Sequence, residues 1–313
     1  MTKAIYAATA EYEAEIKQIP VKRRVSVSGI LNHLGVSRSG YNAWKNRVPS
    51  DTQKRREEIK QKVSEIYNES HQNYGAPKIT KELQKAGIHV SEKTIGNYMR
   101  GMGIKAQWVK PYTHTTIDSD FSNKLKNVLD EKFNPDTPNA VWVSDITYIW
   151  TFEGFVYLTS IMDLFSRKII SWVLSETLEA SNVVEAVEKA KIQRNITRPL
   201  VFHSDRGCQY VSEIFRNATA DMINSYSKKA YPWDNACIES FHALIKREWL
   251  NRFKIFNYRH AYKLVFEYIE TFYNTVRIHS HCGYLSPNQY EAEYLTTMAE
   301  SVAALAGLSL IHI

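Results

Sequence analysis

Cysteine is scarce in this chain: Cys208, Cys237 and Cys282 are the three among 313 residues, an odd number at wide spacing. They offer neither a disulfide framework nor a zinc-ligand pattern, which suits a reducing cytoplasm. Glycine and proline are thin too, at 12 and 9, and the composition is neither collagen-like nor disordered. No apolar run reaches the ~18 residues of a membrane span, and no basic-then-apolar leader opens the chain. A soluble, unexported protein is expected. The sequence also lacks a glycine-rich phosphate loop, against a nucleoside-binding α/β enzyme, and it lacks a heptad run.

What is present can bury a real core. The chain is 44% hydrophobic with 12% aromatic residues, and its length suits two or three domains. The net charge of +7 is unevenly spread. Residues 1–110 hold 20 Lys/Arg against 10 Asp/Glu, the remainder 20 against 23. That bias suits a polyanion-binding N-terminal third and a remainder with another task.

Residues 1–20 read as a lead-in segment. Beyond them Ile30, Leu31 and Leu34 repeat at helical spacing, Gly35 supplies a turn, and Ser37 caps a second helix, Arg38 to about Asn46, with Tyr41 and Trp44 inward. That order is helix-turn-helix grammar, which a purely structural three-helix module would share. A basic linking helix, Gln53–Ser70, leads to a second such unit. There a helix Lys78–Ala86 is broken by Gly87, and Ser91 caps a helix to about Met102. Arg23, Arg24, Arg38, Asn42 and Lys45 in the first unit, and Lys93 and Asn97 in the second, are the candidate DNA contacts. The expected division is 1–20 lead-in, 21–52 first module, 53–110 linking helix and second module, 111–140 linker, 141–250 catalytic core and 251–313 C-terminal helical region.

Three strands rich in Val, Ile, Tyr and Trp follow: Val141–Ile149, Phe155–Asp163 and Lys168–Leu174. Asp145 sits in the middle of the first, where a lone buried charge would be costly. After a helix Glu179–Lys191, a short strand ends at Asp205, ahead of Arg206 and Gly207, at the carboxyl end where open α/β folds place ligands. A helix around Ser212–Met222 and a weak strand Ile223–Tyr226 come next. A helix from Ala236 to Trp249 then has Asp234 or Asn235 as its cap and Ile238, Phe241, Ile245 and Trp249 as its apolar stripe. Glu239 lies in its first turn and Lys246 two turns on, on nearly the same face. Three converging carboxylates repel one another and ask for divalent metal, with Mg²⁺ or Mn²⁺ suiting an all-oxygen ligand set. A two-ion site would serve in-line phosphoryl transfer. Three unrelated surface acids are the plain alternative, disfavoured because two of them lie in or beside apolar strands.

Five stretches now resemble one family: WVSDITYI (142–149), DLFSRKIISW (163–172), HSDRGCQY (203–210), DNACIESFHALIKRE (234–248) and HSHCGYLSPNQYE (279–291). Together with LGVSRSGYNAW (34–44) and residues 74–100, they resemble the second-reading-frame (OrfB-type) transposases of copy-out, paste-in bacterial insertion sequences. That group falls within the retroviral-integrase-like DDE superfamily. The resemblance implies an α/β fold with a ribonuclease-H-like core, a mixed five-stranded sheet flanked by helices, behind small all-α helix-turn-helix-like modules. It implies a D, D, E triad at Asp145, Asp205 and Glu239 holding two Mg²⁺ ions, with Lys246 on DNA near the cleavage point. It also implies cleavage of DNA 3′ ends and strand transfer at element ends, with a homo-oligomer on DNA. An upstream-frame protein would be a partner or be fused by frameshifting.

The interval between Asp205 and Glu239 is 33 residues, shorter than the family's usual spacing. A shortened loop or helix end is expected there, because the flanking motifs are intact, rather than a deletion that shifts the register of a strand or helix. Two rival readings share these residues: a catalytically inactive DNA-binding remnant, and a nuclease of the same fold that only hydrolyses. Phe253–Arg277 reads as one or two aromatic-rich helices with most rings in the core. Arg277, His279 and His281 read as a polar, fold-closing turn before a Pro-started helix.

Overall fold

The computed structural model describes residues 2–18, 25–107, 125–228 and 232–309. The chain divides into two compact units, residues 1–64 and 65–313.

The first unit contains α1 (Thr2–Gln18), α2 (Val27–His33), α3 (Arg38–Lys45) and most of α4 (Asp51–Glu69). Ser26 caps α2 and Ser37 caps α3, each hydroxyl accepting a backbone N–H in the first turn at 3.0 and 3.2 Å. Gly35 makes the turn between them at φ +63°. Nothing in the sequence singles out the lead-in segment, yet it forms α1, whose Tyr6 joins Leu31 and Tyr41 in this unit's core. Arg23 and Arg24 lie outside the described residues.

The second unit opens with α5 (Ala76–Lys85) and α6 (Glu92–Gly101). Gly87 turns between them, and the Ser91 hydroxyl caps α6 by accepting the Thr94 N–H at 3.2 Å. Then come β1 (Val141–Thr151), β2 (Gly154–Asp163), β3 (Lys168–Ser175), α7 (Ala180–Gln193), β4 (Val201–Ser204), α8 (Glu213–Ala218) and β5 (Ile223–Tyr226). A 3-10 turn at Pro232–Asn235 leads into α9 (Ala236–Glu248). Next is α10 (Tyr258–Phe266), whose axis continues as a π-helical stretch Glu267–Tyr273, and last α11 (Pro287–Ser309).

The five strands form one mixed sheet in the order β3-β2-β1-β4-β5, antiparallel on the β3-β2-β1 side and parallel from β1 through β5. This is the ribonuclease-H-like architecture the resemblance implies. Alternating side chains give the sheet two buried faces. Val143, Ile149 and Leu158 pack with Ile238, Phe241 and Ile245 of α9 and with Tyr268 and Phe272. Trp142, Ile161 and Phe202 pack with Val183, Ala186 and Val187 of α7 and with Phe215 of α8.

Two expectations need correction. The strand ends at Ser204, not at Asp205, because the Asp205 carboxylate turns to accept the Gly207 N–H at 2.9 Å, an Asx turn that leaves the ladder. The aromatic helices bury Tyr268, Phe272 and Tyr273 but expose Phe256, Tyr262 and Phe266, so the core claims only part of that set.

The loop-bearing end of α10 and its π-helical extension carries a buried ion pair. Arg277 donates to both oxygens of Glu248 at 2.7 Å, and the Tyr268 hydroxyl adds a third bond at 2.8 Å. Burial would raise the Glu248 carboxyl, but Arg277 holds it below its usual range. The helix α5 docks beside this pair. The Tyr74 hydroxyl accepts the Ile278 N–H at 2.9 Å, and Lys85 donates to the Tyr284 carbonyl at 2.7 Å. The residues 277–281 therefore close the fold, with His281 Nε2 on the Phe165 carbonyl at 2.9 Å.

Candidate active site

The sheet register brings the two aspartates side by side. β1 and β4 run parallel with Val143 opposite His203 and Ser144 opposite Ser204, so the next residue on each chain is Asp145 and Asp205. The pairing of β1 with β4 stops there, while its pairing with β2 runs on to Thr151. The helix α9 lies on the same sheet face as Val143 and Ile149, and Glu239 is in its first turn.

The charges of these acids act on one another. The Asp205 carboxyl is raised to about 6, first by burial, then by the negative charge of Asp145, with Glu239 adding to the effect and the Gly207 N–H opposing it. Gly207 lies close against this turn: a β-carbon there would meet the Asp205 Oδ1 at 3.0 Å and the Gln209 Oε1 at 3.2 Å, and those side chains would have to shift. Among the described residues, no three His, Cys, Asp or Glu side chains already form a closed metal-binding cluster. The carboxylates would have to draw together on an ion. The donor chemistry fits a hard divalent cation, since all three contribute oxygen and their mutual repulsion is what such a cation relieves.

Three supports are built around the carboxylates. His242, one turn beyond Glu239 on α9, places Nδ1 3.3 Å from the Asp145 Oδ2 and Nε2 3.3 Å from the Ser160 hydroxyl. Ser144 joins the three elements. Its hydroxyl meets the Tyr210 hydroxyl at 2.8 Å, beyond the Asp205 turn, and its carbonyl accepts from Asn235 Nδ2 at 3.3 Å, at the start of α9. Lys246 Nζ lies 4.4 Å from the centroid of the Tyr148 ring. Burial lowers the Lys246 ammonium, and Asp145 opposes that.

Asn235 takes the N-cap position of α9, one of the two expected, but makes no side-chain capping bond there. Asp234 Oδ2 is taken by the Lys228 N–H at 2.6 Å and by Asn127 Nδ2 at 2.9 Å, and Asn235 is turned to Ser144. The 3-10 turn leads into the helix in its place. His203 is buried between the Ser225 and Ser227 hydroxyls at 2.9 and 3.2 Å. Burial lowers it to about 4, so it is neutral and structural.

Sequence reasoning missed His242, Ser144, Tyr210 and Asn235 as site supports. The one signal was the placement of His242 between Glu239 and Lys246. Of the candidate DNA contacts, Arg38 and Asn42 on α3 and Lys93 and Asn97 on α6 are exposed. Lys45 is also exposed but is held by Glu13 at 2.6 Å, and Asn97 accepts from Arg100 at 2.6 Å. Arg100, on the same exposed face, escaped notice.

Known proteins share these features. The integrase core domain family matches residues 135–230 and again 221–287, and the HTH-like domain family matches residues 54–112. The transposase for insertion sequence element IS904 of Lactococcus lactis is 35% identical over 79% of this chain and 98% of that protein. The transposase InsF for insertion sequence IS3A of Escherichia coli is 33% identical over 86% of this chain and 95% of that protein. A magnesium complex of the HTLV-2 integrase catalytic core domain overlays 49% of this chain and 97% of that one at 19% identity, with a TM-score of 0.37. That last likeness is too loose to argue from.

Proposed function

The chain belongs to the IS3-type insertion-sequence transposases, and from that premise we propose that Asp145, Asp205 and Glu239 are its catalytic triad, with Lys246 beside them. It is a polynucleotidyl-transferase-type enzyme with an integrase core. The observation that supports the assignment of residues is the strand register that sets Asp145 and Asp205 side by side where β4 ends; Asp205 is raised to about 6 by burial first, and then by the charges of Asp145 and Glu239.

The triad would hold two divalent ions, Mg²⁺ or Mn²⁺. Bound there, they supply activation of the attacking oxygen and charge relief at the leaving oxygen. The chain's own groups set the stage. His242 orients the Asp145 carboxylate, the Gly207 N–H fixes that of Asp205, and the Asn235–Ser144 bond fixes the start of α9 and hence Glu239. Lys246 meets a phosphate of the DNA strand beside the scissile bond. Water first cleaves a phosphodiester at the element end and leaves a 3′-hydroxyl. That hydroxyl then attacks a phosphodiester of target DNA, displacing one strand end as the new bond forms.

Binding of duplex DNA falls to the helical modules. Arg23, Arg24, Arg38, Asn42 and Lys45 serve the first, Lys93 and Asn97 the second, at boundaries 21–52 and 53–110 ahead of a core at 141–250. Holding two ends at once calls for a homo-oligomer on DNA, joined by or fused to the upstream-frame protein, in the bacterial cytoplasm at the nucleoid. Among the described residues, no helix is long and apolar enough to cross a membrane.

The test is a strand-transfer assay on labelled element-end duplex with Mg²⁺. Joined products that vanish in Asp145→Asn support the reading. Cleavage without joining would point to a hydrolytic nuclease, and DNA binding with no metal-dependent cleavage to an inactive remnant.

A further inference from the structure

Past the end of β4, β1 and β2 run on, beside β3 as far as Tyr157 and then alone as a two-stranded ribbon, and aromatic rings stand on one face of this extension. Tyr148 and Trp150 share that face of β1, and Phe155 stands opposite Trp150 on β2. Phe155 touches both rings edge-on, with centroids at 5.4 Å from Tyr148 and 5.1 Å from Trp150. At the ribbon's tip Phe152 meets Phe256 at 5.7 Å, and Phe256 stacks on the His260 ring at 5.6 Å. The Phe152 N–H also donates to the Ile255 carbonyl at 3.0 Å, so the tip is tied down. These rings are left open to solvent: Phe152 is 62% exposed, Trp150 59%, Phe256 58%, Tyr148 52% and Phe155 48%. One exposed ring is ordinary, but three in contact on the ribbon and two more meeting at its tip mark an interaction surface.

The ends of the strip say what would cover it. Tyr148, three residues past Asp145, has the Lys246 ammonium over its ring, so the strip starts at a cation beside the candidate catalytic carboxylates. A ligand matching that order is anionic where it meets Lys246 and presents flat apolar faces beyond it. A single DNA strand has both properties, a phosphate backbone and unpaired bases. The ring spacing agrees: alternate residues on a strand face repeat at ~6.8 Å, twice the ~3.4 Å rise between bases. Stacking on such a platform tolerates any base sequence.

We propose that this strip is a stacking platform for unpaired bases of the DNA strand that passes the active site, holding a frayed or displaced single strand next to the triad. The position of the triad rests on the reading above; the platform's binding of single strands does not need the triad to be active.

The experiment uses the full chain carrying Asp145→Asn, so that no chemistry intervenes. Fluorescence anisotropy compares a labelled blunt duplex with the same duplex bearing a single-stranded flap of about six nucleotides, within the usual site range. The expected result is about tenfold tighter binding of the flapped DNA. Trp150→Ala, and separately Phe152→Ala with Phe256→Ala, should abolish that preference while blunt-duplex affinity stays within twofold. Because these side chains are exposed, both variants should keep the parent's thermal melt. Equal affinity for the two DNAs, or a flap preference untouched by both variants, overturns the proposal. So does a concentration-dependent dimer that the variants dissociate, since the strip would then be a contact between copies. Failure of strand transfer in the wild-type chain, with flap binding intact, would strike the triad's assignment and leave the platform standing.

Discussion

At the scale of single residues, Asp205 is the site carboxylate held away from its ordinary behaviour. Asp205 holds its proton up to about pH 6 in the fold, whereas an unfolded aspartate loses it near pH 4. Between those values the folded chain binds more protons than the unfolded one, so stability falls as pH rises through this window, and above pH 6 the full cost is present. Asp205→Asn should therefore stabilise the metal-free protein at pH 7 by on the order of 1 kcal/mol, allowing for the site's partial exposure. The gain should fade below pH 4. Thermal melts across pH check this, and a destabilised variant at pH 7 would contradict it. Added Mg²⁺ should raise the melting temperature of the wild-type chain and not that of the variant. His242, 3.3 Å from the Asp145 carboxylate, would act through Asp145 as a positioning residue in the proposed site. His242→Ala should weaken the Mg²⁺ dependence of cleavage by about 10–100-fold, as lost orientation of a metal ligand does elsewhere. A Mg²⁺ titration of the activity reads this directly, because a merely structural loss would lower the plateau without moving the midpoint.

At the scale of elements, strands and helices were largely legible and their supports were not. The three strands from Val141 to Ser175 read clearly because β-branched and aromatic residues alternate with polar breaks. The α9 stripe of Ile238, Phe241, Ile245 and Trp249 read clearly because each sits at helical spacing. Asp145, Asp205 and Glu239 stood out as acids in or beside apolar segments. His242 did not, since its partners Asp145 and Ser160 come from two strands far away in sequence. Ser144 was equally hidden, because its role is to be a carbonyl and a hydroxyl at the right register. The shortened interval between Asp205 and Glu239 holds a formed α8 and β5 and the start of a formed α9, while residues 229–231 lie outside the described residues. The Glu248–Arg277 pair joins the end of α9 to the turn that follows the π-helical stretch. Arg277→Met would take from buried Glu248 its bidentate partner and leave it the Tyr268 hydroxyl and the weaker pull of Arg247 and Lys78, at a cost toward the lower end of about 3–5 kcal/mol in urea unfolding. Adding Glu248→Leu should recover most of that loss. If the double variant is no more stable than the single one, the pair is not what makes Arg277 necessary.

At the scale of the molecule, the charge division visible in the sequence corresponds to a basic helical N-terminal part and a catalytic sheet, and α5 is tied to the latter through Tyr74 and Lys85. If phosphate contacts on α3 and α6 drive duplex binding, affinity should fall linearly on a log–log plot against salt. Arg38→Ala and Lys93→Ala should each flatten that slope by about 1. Unchanged slopes would move the DNA contacts elsewhere. The most direct test of the whole account is anomalous diffraction from crystals of the chain soaked in Mn²⁺. Two peaks about 3.5–4 Å apart among Asp145, Asp205 and Glu239 are predicted. Manganese bound only at other residues, with this site occupied by none, would contradict it.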